Sequence, residues 1–62
     1  MRQVSDTEVE LIAEIERLEF DARETHWRLD RAETEEDKSV LQRQLQELEQ
    51  QVEYLRRELK QS

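Results

Sequence analysis

The stretch LQRQLQELEQQVEYLRREL, residues 41–59, repeats an apolar side chain at alternating steps of four and three: Leu41, Leu45, Leu48, Val52, Leu55 and Leu59. That spacing sets all of them on one stripe of a helix, the seam of a coiled coil. A lone helix has nothing of its own against which to bury such a stripe. The chain is therefore expected to associate through helices.

Upstream, Leu11, Ile15, Leu18, Ala22, Thr25, Leu29 and Ala32 step by the same rule. This seam is the weaker one, because Ala22, Thr25 and Ala32 bury little area, at ~0.8 kcal/mol per CH₂ removed from water. Ser5-Asp6-Thr7-Glu8 offers a capping box for the helix start, with Met1 to Val4 expected to fray. Acid-before-base pairs at i,i+4 (Glu19–Arg23, Glu24–Arg28, Glu53–Arg57) support helix along the way.

The two seams differ in phase. Continuing the first would put Glu36 and Ser39 in the core, yet the second begins at Leu41. Between them, residues 33–39 read Glu-Thr-Glu-Glu-Asp-Lys-Ser, wholly polar and mostly acidic. Either one continuous helix carries an irregularity there, or a turn intervenes and Ser39-Val40-Leu41-Gln42 caps a second helix. With no Gly or Pro in the chain to favour a turn, the continuous helix is the reading adopted.

Orientation of the paired helices is open to the sequence. A parallel dimer sets Glu14 against Glu19 of a second copy, which repels, and Arg28 against Glu33, which attracts. An antiparallel alignment, in a dimer or a hairpin, matches Leu11 with Leu59, Ile15 with Leu55, Leu18 with Val52, Ala22 with Leu48, Thr25 with Leu45 and Leu29 with Leu41. Its flanks place Glu14 near Glu58 and Glu19 near Glu49, with no attractive pair between them. Leu at d with Val52 at a favours the parallel two-stranded coil. The pattern as a whole resembles leucine zippers and coiled-coil rods in general.

Composition narrows the function classes. In 62 residues, 44% are charged, 34% are hydrophobic and there is no Cys, so neither a disulfide nor a thiolate metal site can staple the fold. Oligomerisation is the remaining route to stability for so short a chain. A net charge of −7 argues against nucleic acid and anionic membranes as partners. No membrane-spanning run and no signal-peptide core is legible, so the chain is expected to be soluble and cytoplasmic, and a segment of something longer. A basic-region zipper needs a dense run of Lys and Arg ahead of the leucines, where Glu33–Asp37 stands instead.

A few residues stand out from the packing pattern. Phe20 and Trp27 both fall opposite the N-terminal seam, as a docking stripe for another helical protein or as rings filling a bundle core. His26 with Asp30 offers two metal donors where most sites need three or four. Thr34 and Ser39 lie beside acids, where phosphorylation would add charge. Arg56, Arg57 and Lys60 suit the negative end of a helix dipole. Carboxylates are plentiful, but on an exposed helix they lack the perturbed environment that acid–base catalysis needs.

The reading that follows is an all-α chain, one long helix forming a rod roughly 80 Å long. Residues 5–32 and 40–61 form its coiled-coil segments, and residues 33–39 an acidic phase break. Leu11, Ile15, Leu18, Ala22, Thr25, Leu29, Leu41, Leu45, Leu48, Val52, Leu55 and Leu59 form the interface of a homodimer, with Phe20 and Trp27 for partner docking. The expected function is homo-oligomerisation within a larger cytoplasmic scaffold, cytoskeletal, centrosomal or trafficking protein. The alternative is an adaptor that folds as a hairpin or mixed helical bundle on a partner. No catalytic residue, metal or cofactor is expected.

Overall fold

The computed structural model describes residues 6–61. Two α-helices, α1 (Asp6–Arg31) and α2 (Glu35–Gln61), account for all but three of them. They pack against each other as a hairpin, and there is no strand among the described residues. Acidic side chains sit in both first turns (Asp6 and Glu8; Glu35, Glu36 and Asp37) and basic ones in the last (Arg28 and Arg31; Lys60), each matching the sign of the helix dipole.

This corrects the single long helix and the parallel two-stranded coil expected from the sequence. A continuous helix over residues 6–61 would be roughly 84 Å long, whereas the molecule measures 53 Å along its longest axis. The phase mismatch supplies the reason. In one unbroken helix the two seams would point in different directions, whereas a turn between them lets the chain cover each with the other. Closing the seam within one chain also avoids the translational and rotational entropy that a dimer must lose.

The turn falls at Ala32, Glu33 and Thr34, and residues 35–39 of the acidic stretch belong to α2. No residue described there needs the left-handed backbone that Gly would serve. α1 tightens at its end, where the Ala32 N–H donates to the Leu29 carbonyl at 3.2 Å, an i to i−3 bond. α2 is opened by Thr34. Its hydroxyl oxygen accepts the Asp37 N–H at 3.1 Å, and its carbonyl accepts the Lys38 N–H at 3.1 Å. The cap is therefore Thr34 rather than Ser39, which lies inside the helix. Ser5 and Met1 to Val4 lie outside the described residues.

The seams meet as the spacing requires. Ile15 and Leu18 are buried, at 7% and 6% exposure, and the other ten seam residues named above, with Ala32, are half-buried. The Thr25 hydroxyl donates to the Asp21 carbonyl at 2.8 Å, so this polar group enters the seam with its hydrogen bond made. No side chain among the described residues is fully buried.

Candidate association surface

The twelve residues assigned from the sequence to an interface between chains are placed by the structure between the two helices of one chain. Two helices cannot enclose a seam on all sides, and three open grooves flank it. Ala22 and Val52 line one of about 710 Å³, rimmed by Glu16, Glu19, Arg23, Glu49, Glu53 and Arg56. Thr25 and Leu48 line a second of about 440 Å³, and Leu18, Leu55 and Tyr54 a third of about 430 Å³. The larger two lie where α1 contributes its small seam residues. Each α1 residue shares its groove with the α2 seam residue one step beyond the one set opposite it from sequence.

Electrostatics at the seam also differ from the expectation. The Arg56 guanidinium donates to the Glu19 carboxylate at 2.7 Å across the two helices. Glu19 thereby has the attractive flank partner that the alignment against Glu49 did not offer, and the i,i+4 pair Glu19–Arg23 does not form. Glu24–Arg28 at 3.2 Å and Glu53–Arg57 at 2.9 Å form as spaced. Glu14 accepts from Arg17 at 2.6 Å. That hydrogen bond, with the attraction of the same carboxylate, holds the Arg17 guanidinium above its ordinary range.

The aromatic rings lie outside the seam. Phe20 is 61% exposed and Trp27 is 56% exposed, so neither fills the core of the hairpin. Arg31 covers Trp27: its guanidinium carbon lies 3.7 Å from the ring centroid, and its Nη1 donates to the Trp27 carbonyl at 3.5 Å. Val9 and Ile12 are exposed on the same helix, as are Val40 and Tyr54 on α2. These four went unremarked in the sequence because they fall off the seam period, and period is what a seam search detects. The Trp27–Arg31 spacing of i,i+4 was the available signal for the ring contact.

The remaining candidates are plain. His26 Nδ1 lies 3.6 Å from Asp30 Oδ2, both exposed, and no three potential metal-ligating side chains converge among the described residues. Thr34 uses its hydroxyl oxygen as the α2 cap, and Ser39 is exposed within the helix. Arg57 is tied to Glu53 and Arg56 to Glu19. Among the described residues no helix is long and apolar enough to cross a membrane.

Comparison with known proteins returns no match: no family model, curated sequence or solved structure aligns with the chain.

Proposed function

We propose that the hairpin is an association module, pairing with a second copy to complete a helical bundle and so joining the chains that carry it. One observation carries this reading. Among the described residues only Ile15 and Leu18 are buried, while Val9, Ile12, Phe20, Trp27, Val40 and Tyr54 each expose more than two-fifths of their surface. A core of two residues is too small to offset the entropy of ordering some fifty others, and pairing supplies the missing burial. The work is then oligomerisation and spacing within a larger scaffold, of the cytoskeletal, centrosomal or trafficking kind. The Cys-free composition suits the cytoplasm.

A second reading, an adaptor that folds on a helix of another protein, is favoured by the grooves at Ala22 and Thr25, where a foreign side chain could enter the seam. Sedimentation equilibrium with far-UV circular dichroism separates the two. The association reading expects a mass of two or more chains and a melting temperature that rises with concentration. A folded monomer at every concentration overturns it, and a poorly helical monomer turns the assignment to the adaptor.

A further inference from the structure

We propose that the outer face of α1 is a self-complementary interface, on which two hairpins pair antiparallel about a two-fold axis passing beside Phe20. The proposal rests on the association reading above and specifies its face and direction.

The face runs along Val9, Ala13, Phe20 and Trp27, which share one side of α1 and are all exposed. Glu16 and Arg23 border it on one side, Arg17 and Glu24 on the other. In an antiparallel pair centred on Phe20, each residue of the central row Ala13, Phe20 and Trp27 faces the one equally far beyond Phe20 in the second copy. Phe20 then meets its own counterpart, and Ala13 meets Trp27, a small side chain against the largest. The borders agree. Each border meets the same border of the second copy, so Glu16 lies beside Arg23 and Arg17 beside Glu24, each one residue from level, and symmetry makes each contact twice. Further out, Glu10 reaches Arg31.

On the Glu16–Arg23 border the charges are uncommitted, whereas Arg17 and Glu24 on the other border also hold Glu14 and Arg28 of their own helix. Glu19, the intrahelical partner that the spacing offers Arg23, is instead turned to Arg56. Neither Glu16 nor Arg23 enters an ion pair among the described residues. Parallel pairing on the same face also finds opposite charges, Glu16 with Arg17 and Arg23 with Glu24. It fails on shape, because Ala13 would face Ala13 across a gap while Trp27 crowded Trp27.

Charge reversal tests face and direction together, with helicity checked by circular dichroism. Glu16→Arg is expected to weaken dimerisation roughly tenfold, through two like-charge contacts. Adding Arg23→Glu to the same chain should restore it, since the swapped pair again attracts. In the parallel arrangement the double variant would be the worse of the two, facing Arg17 and Glu24 with like charges. Cysteine linking in the Cys-free chain gives a readout independent of charge. Ala13→Cys mixed with Trp27→Cys should form the mixed disulfide, and neither should link well to itself. Efficient self-linking of Trp27→Cys overturns the antiparallel direction. A native dimer indifferent to all these changes overturns the face and leaves the association reading standing, whereas a native monomer removes both.

Discussion

Arg56 of α2 reaches Glu19 of α1 at 2.7 Å, a hydrogen-bonded ion pair between residues 37 apart in sequence. The other ion pairs described, such as Glu24–Arg28 and Glu53–Arg57, each lie within one helix. The contact therefore reports on the hairpin itself, and it commits Glu19 inward while Arg23 stays free.

A double-mutant cycle on Glu19→Ala and Arg56→Ala should give a coupling of about 0.5 kcal/mol, modest because the side chains are 42% and 61% exposed. Urea unfolding at low and at high salt would measure it. The coupling should shrink as salt rises. No coupling at either ionic strength would mean that the contact is not held in solution.

Packing along the seam makes opposite predictions at neighbouring sites. Leu18→Ala empties one of the two buried positions and should cost about 2–5 kcal/mol, enough to abolish cooperative melting in so small a core. Ala22→Leu should instead raise the melting temperature by extending an apolar side chain into the groove beside Val52. A lowered temperature for the second variant would show that this layer has no room.

The cap separates the two turn placements that the sequence left open. Thr34→Ala removes the acceptor of the Asp37 N–H and should destabilise by about 1 kcal/mol, whereas Thr34→Ser should be nearly neutral. Ser39→Ala lies in the body of α2 and should change stability by less than about 0.5 kcal/mol. Denaturant midpoints compared across the three variants check this. A larger loss at Ser39 than at Thr34 would move the helix start.

The seams were legible in the sequence because burial follows spacing: every residue from Leu11 to Leu59 chosen at steps of four and three is at least half-buried. The break in phase was legible too, but its meaning was not. Glu33-Thr34-Glu35-Glu36-Asp37 contains no residue that demands a turn, and Thr34 with Asp37 fits the cap pattern as well as Ser39 with Gln42 does. What decides between a rod and a hairpin is the balance between joining two chains and bending one, which no local motif encodes. The Glu19–Arg56 contact stayed hidden for a simpler reason. An antiparallel flank offers each charge two neighbours, one heptad apart, and matching the seams layer by layer sets Glu19 beside the like-charged Glu49 rather than Arg56.

Trp27, the single Trp, reports directly on the outer face of α1. Its fluorescence should be that of an exposed indole at high dilution and shift to the blue as concentration rises and the face is covered. Arg31→Gln should alter the dilute spectrum by removing the cation from the ring. An emission maximum independent of concentration, in a sample whose mass shows dimerisation, would place the contact elsewhere.

The most direct test of the hairpin is to add Gly-Gly-Cys to both ends of the chain, oxidise it in redox buffer at high dilution and weigh the product. The fold described here brings the start of α1 and the end of α2 to the same end of the molecule. It predicts rapid closure to a disulfide-linked product with the mass of one chain. Two-chain products joined N-to-N and C-to-C would contradict it and restore the parallel rod. A two-chain product joined N-to-C would show instead that the helices run unbroken through Thr34 and exchange between copies.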